Sequence, residues 1–325
     1  MATVAEVLAK TVRAAGIDTV FGLPGGENAE VLDAFRRQGL EFVLVRNENS
    51  AVFMADATAR LTGKPGVALT TLGPGAANAY SAMANAYLDR APVLLLTAQS
   101  DKRVIGRHTH QVLDLQASFK PISKMTRELT NVRTQQVVEE ALRLTMAGRL
   151  GPVHLGISSF MAGQVVVDGN RGNGIAIHGR ETNVPDFDAA RALLMRAKRP
   201  IIVVGLGLEP EKPYEAIRRL AEAAQAPVVV TPKAKGAVPA DHPLFVGVIG
   251  LTHTDPAYEI VGESDCIIAV GFDVVELVKV WDQEQPLIWI APWENEDPKL
   301  AVVKHEFVGP VGPVLEQLAQ TSFNL

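Results

Sequence analysis

Residues 67–97 read VALTTLGPGAANAYSAMANAYLDRAPVLLLT, and this stretch decides the class of fold. Two short apolar runs, Val67 to Thr71 and Val93 to Thr97, enclose a glycine-rich turn and a stretch of helical spacing at roughly 76–89. Strand, turn, helix and strand in that order make a βαβ unit, whose strands are parallel and covered on both faces. The same alternation extends outward from residue 3 to about 165. Further strands are expected at Asp18 to Gly22, Phe42 to Val45 and Val153 to Ile157, with helices at roughly 3–15, 29–38, 49–62 and 134–148. Residues 166–184, VVDGNRGNGIAIHGRETNV, are rich in Gly and Asn and read as a connection. Beyond it the spacing predicts helices over Asp186 to Lys198, Tyr214 to Ala224 and Val311 to Gln320. Strands are expected over Pro200 to Gly205, Pro227 to Thr231, Cys266 to Gly271 and Leu287 to Ala291. The expectation is an α/β protein with two doubly wound parallel-sheet domains, residues 1–165 and 185–325, the second Rossmann-like.

Length and composition agree. At about 150 residues per domain, 325 residues fit two. With 47% hydrophobic and 21% charged residues, disordered, collagen-like and coiled-coil classes are set aside. A formal charge of −5 without a basic stripe removes the electrostatic case for nucleic acid and leaves small molecules or proteins as partners. The single cysteine, Cys266, lies in an apolar strand and reads as a core thiol. Charged residues Glu6, Lys10 and Arg13 interrupt the N-terminal segment, so it lacks the apolar run of a signal peptide. No stretch reaches the roughly 20 apolar residues of a membrane span. A cytoplasmic protein without membrane attachment is the expectation.

Three turns sit where strands give way to helices, the edge at which parallel sheets gather ligands. Gly22-Leu23-Pro24-Gly25-Gly26-Glu27-Asn28 follows the first strand, and its glycines let backbone approach a ligand. It lacks the full dinucleotide fingerprint, and on the residues alone a plain tight turn is the favoured reading. Gly73-Pro74-Gly75-Ala76-Ala77-Asn78 follows the third strand, and Asn47-Glu48-Asn49-Ser50 the second. On spacing alone, Glu48 is explained as a carboxylate stabilised at a helix N-terminus. A polar loop, Asp101 to Gln111, carries His108, His110 and Gln111. No cysteine or acidic ligand at helical spacing accompanies the His-x-His pair, so solvent-facing or substrate-facing histidines are favoured over a metal site. Trp281, Trp289 and Trp293 read as core or interface packing.

Taken together, the segments TVFGLPGGEN, VRNENSAVFMADATARLTGKPGVALTTLGPGAANAYSAMANAYLDRAPVLLLTAQ and MAGRLGPVHL strongly resemble the thiamine-diphosphate-dependent decarboxylases and carboligases, the acetolactate synthase large subunit most of all. The resemblance runs from about residue 3 to 157, and implies that residues 1–165 bind the aminopyrimidine ring of thiamine diphosphate. Lys233 to Ala237 and Asp241 to Gly247 match the family's middle domain less specifically. The resemblance places Glu48 on the family's glutamate, which bonds the pyrimidine N1′ and favours the imino tautomer, whose exocyclic nitrogen then removes the thiazolium C2 proton. That role asks for a dry pocket. It also implies that Pro24, Gly25, Thr71, Gly73, Pro74 and Asn78 shape the cofactor site, and that Gly26, Glu27, His110 and Gln111 lie at the substrate end. His110 replaces an aromatic residue and Glu27 a small one, which makes the pocket more polar than in acetolactate synthases.

Two departures bear on cofactors and partners. Flavin-binding members carry an arginine near the position of Gly271, and Gly271-Phe272-Asp273-Val274-Val275-Glu276 has none, so FAD is not expected. The family's third domain holds Mg2+ and the diphosphate through Gly-Asp-Gly and a later Asn. Val167-Asp168-Gly169-Asn170 is a lookalike without the strand and helix that motif requires. The resemblance therefore implies one subunit of a split enzyme, decarboxylating a pyruvate-like 2-oxo acid and passing the acyl-anion equivalent to an acceptor. A separate chain would supply the diphosphate domain and Mg2+, in a heterotetramer. A simple 2-oxo acid decarboxylase subunit, a noncatalytic structural or regulatory partner, and a truncation of a longer enzyme are the alternatives.

Overall fold

The structure, a computed structural model, describes residues 1–101, 103–105, 110–167, 186–295, 297, 300, 303–321 and 323. Contacts divide the chain into two units, 1–177 and 178–325. Most of the expected connection lies outside the described residues. Val166 and Val167 still bond to the first unit, through Val166 N–H to Ala2 O and Val167 N–H to Asn131 O, so that unit runs slightly past its expected end at 165.

In the first unit, six described strands form one parallel sheet: β1 Thr19–Gly22, β2 Glu41–Leu44, β3 Gly66–Thr70, β4 Val93–Gln99, β5 Thr126–Glu128 and β6 Val153–Ser158, in the order β2-β1-β3-β4-β6-β5. The β4 side chains alternate between two cores. Leu94 and Leu96 pack with the helices Val4–Ala14, Ala29–Arg37 and Thr134–Met146 through Leu8, Phe35 and Val138. Val93 and Leu95 face the helices Glu48–Thr62, Tyr80–Leu88 and Leu115–Phe119. This second layer is built largely of alanine, with Ala51, Ala55, Ala68, Ala76, Ala82 and Ala86 all buried. Small side chains let its helices lie close to the sheet and to one another. The expected helix over 76–89 is two, Pro74–Asn78 and Tyr80–Leu88, meeting at Ala79.

The second unit holds another parallel sheet: β7 Pro200–Val204, β8 Val228–Val230, β9 Phe245–Val248, β10 Cys266–Val270, β11 Leu287–Ala291 and β12 Val303–Val308, ordered β12-β11-β10-β7-β8-β9. Counted within the unit this is the doubly wound order 3-2-1-4-5-6. The helices Phe187–Arg196, Tyr214–Ala224 and Val311–Ala319 cover one face, and Trp281, Trp289 and Trp293 are buried with the helix Ala257–Glu263 on the other. Cys266 is buried, and burial pushes its thiol up to about 12. Among the described residues, no helix is long and apolar enough to cross a membrane.

Four strands depart from the expectation. β5 and β12 are not visible as apolar runs, β9 is a short apolar run broken by Gly247 that was not expected as a strand, and β2, expected to be covered on both faces, is partly exposed along its length. All four are sheet edges. An edge has one paired neighbour and more solvent, so its sequence is short or polar.

One buried polar group ties three strands. His154 of β6 is fully buried, its Nε2 lies 2.9 Å from Thr97 Oγ1 of β4, and its Nδ1 lies 2.7 Å from Thr126 Oγ1 of β5. Its ring packs on Phe119 at 4.6 Å between centroids. Burial holds the imidazole neutral, lowering its pKa from 6.5 to about 3. The folded state therefore refuses a proton that the unfolded chain accepts below pH 6.5, and stability from this group is lost as pH falls toward 3. H154Q should show a smaller drop in melting temperature between pH 7 and pH 5 than the unsubstituted chain; equal drops in thermal unfolding would refute the assignment.

Candidate functional site

The first sheet reverses direction at β1 and β3. From β1 the chain leaves toward β2 on one side, and from β3 toward β4 on the other, which opens a crevice at their carboxyl ends. The turns predicted from sequence, 22–28 after β1 and 71–78 after β3, lie at that reversal.

Glu48 is the first residue of the helix Glu48–Thr62, and Asn47 caps it by accepting the Asn49 N–H at 2.9 Å. Glu48 is buried, only 8% exposed as a residue. Its Oε2 accepts the Asn78 side-chain amide at 3.0 Å, while among the described residues Oε1 carries no hydrogen bond. Asn49 fixes the spacing of the two helices behind it by accepting both the Ser81 hydroxyl at 2.9 Å and the Ala82 N–H at 3.0 Å.

Thr71 stands between two glycines. Its methyl group lies where a Cβ on Gly25 would fall, and its hydroxyl where one on Gly75 would fall. A side chain on Gly75 would also come within 3.2 Å of Glu48 Oε1, so this glycine keeps the free carboxylate oxygen accessible. Gly73 has φ +56, a conformation that favours glycine, and a Cβ there would lie 2.6 Å from Gln111 O. Gln111 itself adopts φ +62 and packs its backbone against Gly73, which sets it beside the turn after β3. Pro74 opens the short helix Pro74–Asn78. The Glu27 carboxylate approaches Gly25, with Oε2 3.0 Å from the Cβ position. Gly26 borders open space. Pro24 and His110 are exposed, and His108 lies outside the described residues.

The structure thus brings together Gly25, Glu27, Glu48, Thr71, Gly73, Asn78 and Gln111 from four separate turns or loops. Three contributors went unassigned in the sequence. Gly75 stands in the quoted motif, and its close approach to Thr71 was not legible there. Asn49 is a common residue near a helix start. Asn28 is fully buried, accepting the Gly25 N–H at 2.9 Å and donating to Leu23 O at 3.1 Å, so it locks the turn that carries Pro24 and Gly25. An asparagine closing a glycine-rich turn was the available signal. No group of three or more His, Cys, Asp or Glu arranged for a metal occurs among the described residues.

A parallel sheet whose reversal point holds a buried carboxyl beside a glycine-lined opening defines a cofactor-binding α/β protein. The chain belongs to the thiamine pyrophosphate enzymes: residues 2–118 match their N-terminal TPP binding domain and residues 187–318 their central domain. Among curated relatives it is 32% identical over 279 residues to a probable acetolactate synthase large subunit of Methanocaldococcus jannaschii, covering 82% of this chain and 46% of that protein. It is 33% identical over 285 residues to an acetolactate synthase of Bacillus subtilis, covering 86% of this chain and 49% of that protein. The chain spans about half the length of these relatives. A solved structure, the thiamine diphosphate-dependent 4-hydroxybenzoylformate decarboxylase of Rhodococcus jostii RHA1, shares the fold with a TM-score of 0.83 at 23% identity, over 100% of this chain and 63% of that one.

Replacing Asn28 by Ala leaves the Gly25 N–H and Leu23 O without their partner, at a cost of about 1–3 kcal/mol. Thermal unfolding of N28A should show a melting temperature lower by several degrees, and an unchanged value would mean that the turn is held otherwise.

Proposed function

We propose that this chain is the pyrimidine-binding half of a thiamine-diphosphate-dependent enzyme that decarboxylates a pyruvate-like 2-oxo acid and transfers the acyl-anion equivalent to an acceptor. The observation that carries the reading is the Glu48 carboxyl: buried, held at Oε2 by Asn78, and open at Oε1 beside Gly75. These residues fit the group. Pro24, Gly25, Thr71, Gly73, Pro74 and Asn78 would surround the aminopyrimidine, the glycines leaving the space a planar ring requires. When bound, thiamine diphosphate supplies the electron sink that a 2-oxo acid needs in order to lose CO2.

The chain's own part is proton management. Glu48 Oε1 would hold a proton against a ring nitrogen, and the Asn78 amide keeps Oε2 fixed so that the free oxygen points one way. The burial of Glu48 keeps most water away, which strengthens that hydrogen bond. Gln111, Glu27, Gly26 and His110 would border the acceptor, with Glu27 and His110 adding polarity. In this reading a separate chain brings the diphosphate-binding domain and Mg2+, giving a heterotetramer in the cytoplasm. The apolar side chains left exposed on the helices beside the site support a partner at this face: Phe53, Met54 and Leu61 on Glu48–Thr62, and Tyr80 and Leu88 on Tyr80–Leu88.

Calorimetric titration with thiamine diphosphate and Mg2+, of this chain alone and mixed with a candidate diphosphate-domain chain, tests the reading together with pyruvate consumption. Binding and turnover are expected in the mixture only. E48Q should lower turnover by about 10²–10⁴-fold while leaving the melting temperature nearly unchanged. Turnover at the unsubstituted rate in E48Q would defeat the assignment, and absence of binding in every mixture would favour a noncatalytic partner.

A further inference from the structure

The second unit has the strand order that makes a dinucleotide crevice, with its reversal between β7 and β10. Such a crevice holds a diphosphate on the backbone N–H groups of the turn after the first strand and on the start of the helix that follows. In this chain the turn is Gly205-Leu206-Gly207-Leu208, and its first three N–H groups are already in use. Gly205 N–H donates to Val270 O at 2.9 Å and Gly207 N–H to Gly271 O at 2.8 Å. Between them, Leu206 N–H donates to Glu276 Oε2 at 2.8 Å. The other carboxyl oxygen, Oε1, accepts the Thr231 hydroxyl from the end of β8 at 2.6 Å.

The space above the turn is taken as well. The Trp293 indole lies directly on Gly207, where even a Cβ would overlap its ring, and Trp293 is buried. The next helix, Tyr214–Ala224, does not begin at the turn but beyond Pro213, so no helix N-terminus faces the crevice from there.

We propose that the Glu276 carboxyl stands where a nucleotide's phosphate would bind, so that the crevice of the second unit is filled by the chain's own carboxyl and indole and takes no dinucleotide. Bound flavin, which the absence of an arginine near Gly271 already argues against, is excluded here for a different reason: the site is occupied. The carboxyl is held chiefly by its two hydrogen-bond donors, in surroundings that do not favour its charge. Burial and the neighbouring Asp273 push Glu276 up to about 7, opposed by the Thr231 hydroxyl, the Leu206 N–H and Lys233.

Removing the carboxyl should uncover an anion site of two donors, the Leu206 N–H and the Thr231 hydroxyl. Thermal unfolding of the purified chain tests this with formate as the probe. E276A is expected to melt several degrees below the unsubstituted chain, with formate restoring part of the loss in a dose-dependent way. Sodium chloride at equal ionic strength should not restore it, and formate should leave the unsubstituted chain unmoved. Titration of the unsubstituted chain with FAD, NAD and ADP should give no saturable heat. Indifference of E276A to formate would overturn the proposal, as would saturable nucleotide binding that excess thiamine diphosphate does not displace. Where E276A fails to fold, the nucleotide titration decides alone. None of these readouts depends on turnover, so the proposal stands or falls apart from the carboligase reading.

Discussion

A parallel sheet buries both of its faces, and in each unit the arrangement of everything else follows from that requirement. Strands such as β3, β4, β6, β10 and β11 are buried at every position, so each must carry apolar or internally hydrogen-bonded side chains up and down and be sandwiched between helices. Helices can cover both faces only if the chain crosses over between parallel neighbours, and the crossovers bring every strand's carboxyl end, with its following turn, to one edge. Ligand-facing groups collect at that edge because it is the part of the sheet that the helices do not cover.

Within the first unit, the two helical layers are not equivalent. One is assembled from Leu, Val and Phe, the other largely from alanine. The alanine layer brings the helix Glu48–Thr62 close enough to the segment 74–88 for Asn49 to bridge to Ser81 and Ala82, and for Glu48 to meet Asn78. A bulkier layer would separate the carboxyl from its amide partner. Packing on one face of the sheet thus sets the geometry at its edge, where a carboxyl emerges with one oxygen held and one free.

The two units make opposite use of the same topological feature. At the β1/β3 reversal, glycines at 25, 73 and 75 leave an opening beside a carboxyl whose second oxygen is uncommitted. At the β7/β10 reversal, a carboxyl with both oxygens bonded and an indole close the space. Fold alone does not separate an open crevice from a filled one, since both arise from reversed crossovers in parallel sheets.

The sequence by itself determined the central strands of both sheets, their alternation with helices, and the three turns that carry Pro24, Glu48 and Gly73, because uninterrupted apolar runs and glycine-rich turns are local signals. It also contained the resemblance that singled out Glu48, which spacing alone explained as a helix-start carboxylate. Tertiary structure decided the rest. The edge strands β2, β5, β9 and β12 are strands by virtue of the neighbour they pair with, and their short or polar sequences do not announce it. His154 is a buried neutral histidine only because Thr97 and Thr126 arrive from other strands, and Asn28, Asn49 and Gly75 acquire their parts from contacts with the folded turns around them. Glu276 is the extreme case: its carboxyl is bonded by groups 45 and 70 positions away in the chain, a relation created by strand order and carried by no local pattern.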